Sequence, residues 1–220
     1  MKVIGLTGSI GMGKTTAAGL LRRMGIPVHE GDAAVHRLLG AGGEAVAEVA
    51  AAFPGTVHAG RLDRRVLGAR VFDDPEALAR LEAILHPRVR RSAAAFLARA
   101  RRRRQPVVVL DVPLLFETGG EAACDATVVL TAPAFVQAAR VLARPGMTRA
   151  RYRDILARQM PDAEKRARAD FVIPTGLGRR CTLRALERMV KEVRRGGVGK
   201  RRRQQRRQGA SFDARDRSRH

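Results

Sequence analysis

An apolar, β-branched run from Lys2 to Thr7 breaks into Gly8-Ser9-Ile10-Gly11-Met12-Gly13-Lys14-Thr15 and resumes at once as a helical stretch from Lys14 to Met24. No other passage in the chain leaves so few folds open. The spacing G-x-x-x-x-G-K-[ST] between a strand and a helix turns the backbone where only glycine is relaxed, aims successive N–H groups at one point, and sets the positive end of a helix dipole behind them. Such a loop cradles a phosphate chain. Gly11, Met12, Gly13, Lys14, Thr15 and Thr16 are the expected nucleotide contacts, with Lys14 bridging β- and γ-phosphates and the Thr15 hydroxyl ligating Mg²⁺. The competing reading, a chance glycine-rich turn, sits poorly with the flanking strand and helix.

The remaining apolar pattern alternates short β-branched runs with helical periods, the sequence form of an α/β protein with a parallel sheet. Five runs qualify as strands: Lys2 to Thr7, Ile26 to Glu30, Val107 to Val112, Ala126 to Thr131 and Phe171 to Thr175. Helices are expected over Lys14 to Met24, Pro133 to Ala143, Arg149 to Met160 and Arg179 to Arg194, with several more between Ala33 and Arg104. The about 75 residues separating the second and third strands exceed what one crossover helix needs, so they form an inserted helical subdomain. Within it Pro75 opens one helix and Pro87 another, the latter with Val89, Ala93, Phe96, Leu97 and Ala100 on one face.

Charge narrows the partners. The chain carries 43 Lys+Arg against 21 Asp+Glu, a net +22, which by itself suggests nucleic acid. Nine of those 22 charges are crowded into the C-terminus, where the residues from Arg194 onward hold eleven basic side chains against Asp213 and Asp216. Only Phe212 offers a stacking surface there, so a nucleic-acid role is confined to this tail, and a solvated, disordered extension over 196–220 is the simpler reading. The rest of the chain keeps a positive balance that suits a small anionic substrate. Cys124 and Cys181 belong to no metal-binding spacing and read as reduced thiols of a cytoplasmic protein. No apolar stretch is long enough to span a membrane.

Two carboxylates close strands that should end on the same edge as the glycine-rich loop: Asp32 at the end of the second strand and Asp111 at the end of the third. Phosphoryl transfer asks for a base at the attacking hydroxyl and a group that organises Mg²⁺. Asp32 suits the first task and Asp111 the second; as alternatives, Asp32 caps a helix beginning at Ala33, and Asp111 makes a structural hydrogen bond. Arg140 and Arg144 end a helix that Pro145 and Gly146 break before Thr148 caps the next. Their guanidinium groups are placed to stabilise charge on a moving phosphoryl group, or stand as surface residues. His86, preceding Pro87, is a substrate contact or a helix junction, and Arg70 and Arg88 are further cationic candidates for the anionic substrate.

These motifs together resemble the dephospho-CoA kinase family. The likeness rests on GLTGSIGMGKTT (Gly5 to Thr16), GIPVHEGD (Gly25 to Asp32), LDRRVLGARVF (Leu62 to Phe72), LHP (Leu85 to Pro87), DVPLLFE (Asp111 to Glu117), RPGMT (Arg144 to Thr148) and QMPDAEKRARADFVI (Gln159 to Ile173), in order along residues 1 to 190. The resemblance implies a P-loop NTPase fold with a five-stranded parallel sheet, helices on both faces, an inserted helical substrate domain and a helical lid. It divides the chain into a core (1–32, 105–143 and 169–195), a substrate domain (33–104) and a lid (144–168). It further implies transfer of the ATP γ-phosphate to the ribose 3′-hydroxyl of dephospho-CoA, by a monomer or weak homo-oligomer. Asp32, Lys14, Arg140 and Arg144 would be catalytic, Asp32, His86, Arg88, Asp111 and Leu114 would hold the substrate, and Thr15 and Asp111 would hold Mg²⁺. A kinase acting on another nucleoside or nucleotide is the alternative. The chain departs from the family's usual Asp-Ala-Asp with Glu30-Gly31-Asp32, and places Pro174 after Ile173 where Asp or Asn is usual.

Overall fold

The computed structural model describes residues 1–58, 61–72 and 74–196. The expectation of a disordered tail falls, beyond Gly196, outside the described residues. Among the described residues the chain forms two compact units, one of residues 1–28 and 104–196, the other of residues 29–103.

The first unit is organised by a five-stranded parallel sheet. Its strands are β1 (Lys2–Thr7), β2 (Val28–Glu30), whose last residues pass into the second unit, and, after the hairpin strands β3 (Val57–His58) and β4 (Arg61–Leu62) of that unit, β5 (Val107–Asp111), β6 (Ala126–Thr131) and β7 (Phe171–Pro174). The order is β2-β5-β1-β6-β7. β1 therefore sits at the centre: the chain leaves it for β2 on one side, returns to β5, and then passes over β1 to β6 and β7 on the other side, so the strand order reverses. In an open parallel sheet this reversal opens a crevice at the carboxyl ends of the strands.

Register puts Leu6 beside Asp111 on one flank and Thr7 beside Val129 on the other. All five residues of β5 are buried, the mark of a strand covered on both faces. The core joins Ile4, Leu6, Val109, Val128 and Leu130 to Leu20 and Leu21 of helix α1 (Lys14–Arg23). Leu186, Met189, Val190 and Val193 fill it from α9 (Arg179–Arg194), whose buried positions recur at helical spacing. Between them run α6 (Ala134–Leu142), α7 (Arg149–Ala157) and α8 (Asp162–Arg168).

The second unit contains α2 (Gly31–Leu38), α3 (Val46–Ala52), the antiparallel β3–β4 pair, α4 (Arg64–Phe72) and α5 (Pro75–Arg102). Leu39, Val49, Phe53, Leu67, Leu81, Ile84 and Leu85 form its own core.

Several boundaries differ from the sequence reading for identifiable reasons. β2 starts at Val28 rather than Ile26, because the Ile26 amide closes the end of α1 by donating to the Leu21 carbonyl at 3.0 Å. Pro87 does not open a helix, and His86 is not a junction: both lie inside the 28-residue α5. Pro75 starts that helix as expected, with Asp74 capping the Glu76 and Ala77 amides at 2.9 Å each. The interior proline removes one helical donor. At the next residue the Arg88 guanidinium reaches back and donates to the Ile84 carbonyl at 2.7 Å. α8 and the β3–β4 pair were not anticipated. α2 begins at Gly31 with Glu30 at its cap position, so Asp32 lies in the first turn and caps nothing. Thr148 does cap α7, accepting from the Arg151 amide at 3.2 Å. Cys124 is buried, Cys181 is exposed, and neither is in a disulfide with a described residue.

Candidate nucleotide-binding and phosphoryl-transfer site

The loop from Gly8 to Gly13 leaves β1 at the centre of the carboxyl edge and feeds directly into α1. Gly11 and Gly13 have φ of +78° and +84°, a left-handed geometry that side chains resist. A Cβ on Gly11 would also stand 2.6 Å from Val141 Cγ2. The Met12 amide turns back onto the Ser9 carbonyl at 3.1 Å.

What shapes the loop is where its carbonyls go. The Ile10 carbonyl accepts from Gln137 Nε2 at 2.8 Å, Gly11 from Arg140 Nη1 at 3.3 Å and Met12 from the Thr175 hydroxyl at 3.0 Å. Three consecutive carbonyls are thus held outward by side chains from α6 and from the end of β7. On the amide side, the Ile10 N–H donates to Gln159 Oε1 at 3.0 Å. Lys14 Nζ folds over the loop and donates to the Gly8 carbonyl at 3.0 Å. Thr15 and Thr16 are exposed, and the first turn of α1 contains no acidic residue, so nothing local neutralises the positive helix end. The arrangement is a concave cluster of donors, open to solvent, suited to an oligophosphate.

Asp111 ends β5 on the same edge, buried and adjacent in register to Leu6. The chain then turns through Pro113, whose carbonyl accepts from the Thr7 hydroxyl at 3.0 Å, and exposes Leu114. Glu117 closes this turn. Its Oε1 accepts from the Met160 amide at 3.0 Å and lies 2.8 Å from Nζ of Lys165, which is 0% exposed. Burial would raise the Glu117 carboxyl, but the Lys165 ammonium and the backbone donors at 117 and 160 outweigh it, and its pKa is lowered. Arg140 spans two elements, donating to the hydroxyl and carbonyl of Thr175 at 3.0 and 2.8 Å. Arg144, past the end of α6, is exposed.

In the second unit Asp32 is exposed in the first turn of α2, and His86 is exposed on α5. Arg88 is pinned by Ile84, by Glu48 at 2.5 Å and by Glu44 at 3.9 Å. Beside it, His29 bonds the Ser92 hydroxyl at 3.1 Å and packs on Phe96. Its pKa is lowered by burial, then by the charges of Arg37 and Arg99, against a smaller opposing effect of Glu30.

Dephospho-CoA kinase is the family whose model matches residues 2–177. The chain belongs to that family. It is 64% identical over 166 residues to the dephospho-CoA kinase of Paramagnetospirillum magneticum, covering 76% of this chain and 78% of that protein. It is 60% identical to the Rhodospirillum rubrum dephospho-CoA kinase, covering 88% and 92%. A crystal structure of a Thermus thermophilus protein superposes with a TM-score of 0.74 at 42% identity, covering 86% and 95%.

For a dephospho-CoA kinase family member, sequence reasoning named the loop and, of its supports, only Arg140, which it set on the phosphoryl group rather than on the Gly11 carbonyl. Gln137, Gln159, Thr175, Glu117 and Lys165 sit in no short motif with a mechanism attached. The only trace was Gln159 and Lys165 falling within the QMPDAEKRARADFVI segment, and Glu117 closing DVPLLFE.

Proposed function

We propose that the chain transfers the γ-phosphate of ATP to the ribose 3′-hydroxyl of dephospho-CoA, giving coenzyme A and ADP. The observation that carries this reading is the glycine-rich loop with its carbonyls tied outward and its lysine and threonines open to the crevice, in a chain of this family. The loop amides and the α1 N-terminus bind the phosphate chain. Lys14 exchanges the Gly8 carbonyl for phosphate oxygens and neutralises charge as the phosphoryl group moves.

Among the described residues no three His, Cys, Asp or Glu side chains gather into a metal cage. Magnesium that rides on nucleotide phosphates needs only one or two protein oxygens, and the exposed Thr15 hydroxyl and the Asp111 carboxylate on the same edge fit that need. Mg²⁺ when bound supplies charge neutralisation at the phosphates. Asp32 takes the proton of the attacking hydroxyl, and the exposed Arg144 on the segment following α6 meets the transferred phosphoryl group when that segment closes. Residues 33–104 receive the acceptor, and 144–168 act as the lid. The described residues contain no helix long and apolar enough to cross a membrane, and two cysteines outside any disulfide suit a reducing cytoplasm.

A coupled assay of ADP release tests the activity. Turnover should require both ATP and dephospho-CoA, and absence of dephospho-CoA-dependent turnover by pure, folded protein in Mg²⁺ would overturn the assignment.

A further inference from the structure

A cavity of about 380 Å³ opens within the second unit, between α2 and α5. That volume falls in the lower part of the range typical of small-molecule sites. α2 contributes Arg37 and the apolar Ala34 and Leu38; α5 contributes Arg88, Arg91, Ser92 and Ala95. The α5 residues recur at three- and four-residue spacing, so they share one helical face. Three guanidinium groups therefore line a space that contains a single carboxylate, that of Glu44.

The three arginines differ in what already occupies them. Arg88 is 19% exposed and is fixed by a backbone carbonyl and Glu48, which makes it part of the wall. Arg91 pairs with Glu44 at 3.0 Å, but the two side chains are 70% and 57% exposed, and a solvated pair of this kind holds its partners weakly. Arg37 forms no ion pair with any described residue. Ser92, at the back, is held by His29. A ligand carrying two adjacent negative charges would gain Arg37 and displace Glu44 from Arg91, with a polar hydroxyl and small apolar side chains accepting the groups attached to it.

We propose that this cavity is the subsite for the diphosphate bridge of the acceptor, with Arg37 and Arg91 as its guanidinium ligands. The inference rests on the reading that the acceptor is dephospho-CoA, which joins its adenosine to pantetheine through that dianionic bridge.

The test compares wild type with Arg37→Ala, Arg91→Ala and Glu44→Gln, using steady-state kinetics and direct calorimetric titration of the ATP-free protein with dephospho-CoA and with adenosine, which lacks the bridge. Loss of a charge-assisted contact to phosphate should raise KM and Kd for dephospho-CoA about tenfold or more in each arginine variant. KM for ATP and the affinity for adenosine should stay within twofold of wild type. Glu44→Gln removes the competing carboxylate and should move KM for dephospho-CoA the opposite way, a result that general damage to the unit does not give. Arg37→Lys should recover part of the lost affinity. Changes of less than twofold for dephospho-CoA in both arginine variants, or equal losses for adenosine, would overturn the subsite. If wild type binds dephospho-CoA through these arginines yet shows no turnover, the activity fails and the subsite stands; if wild type is active and the variants match it, the reverse holds.

Discussion

Gln159 Oε1 accepts the Ile10 amide hydrogen at 3.0 Å, joining the segment after α7 to the middle of the phosphate loop. From the other side Gln137 donates to the carbonyl of the same residue, and Gln137 is buried. Gln137→Leu strands that carbonyl and should cost about 1–3 kcal/mol of stability, read as a lowered Tm. Gln159→Leu acts at a less enclosed position and should raise KM for ATP several-fold with a smaller change in Tm. Equal Tm losses and unchanged KM in both variants would contradict this division.

Lys14 and Asp32 should separate cleanly in kinetics. Asp32→Asn keeps the shape and removes the base, so kcat should fall by about 10² or more while KM for ATP holds. Lys14→Met removes a charge that holds the phosphates in the bound state and acts on them more strongly in the transition state, so kcat should fall and KM for ATP should rise together.

Glu117 and Lys165 form a pair that tolerates no half-measures. Lys165 is fully buried, so Glu117→Gln leaves an uncompensated ammonium and should cost about 3–5 kcal/mol, measured by urea unfolding at pH 7. The lowered Glu117 pKa fixes the sign of the pH effect. Its stabilisation is present above the ordinary carboxylate range and is lost as pH falls through the lower folded-state value. The corresponding acid-side slope in wild type should shrink in the variant.

His29 should give a second, separate acid effect. Its folded pKa lies below the ordinary 6.5, so as pH drops under that value the unfolded chain takes up a proton that the folded chain refuses, and stability declines until the folded-state value is passed. His29→Gln should flatten the stability profile between about pH 6.5 and that point, with no change on the alkaline side.

Much of this architecture was readable before any coordinates. The buried strand Val107–Asp111 announces itself because both faces are covered and the four positions before its terminal aspartate are apolar, and the loop at Gly8 announces itself because its glycines and lysine are spaced by the shape of a phosphate. Pro87 misled because local preference opposes a helical interior, while tertiary packing of Leu81, Ile84 and Leu85 carries α5 through it. The loop's glutamine supports were silent for another reason. Gln137 lies 127 residues from Ile10 and Gln159 lies 149 away; an amide side chain on a helix looks the same whether it meets solvent or a distant peptide. The Arg37–Arg91 cavity was hidden likewise, since in so arginine-rich a chain composition cannot single out the guanidinium groups that converge.

The outward anchoring of the Ile10, Gly11 and Met12 carbonyls has a thermodynamic corollary for nucleotide capture. A receptor already set in its bound form loses little conformational entropy on meeting its ligand. The ordering of this segment is completed during folding, so encounter with ATP chiefly requires the Lys14 side chain to swing, and affinity and speed of capture should respond far more to charge around the crevice than to flexibility of the backbone beneath it.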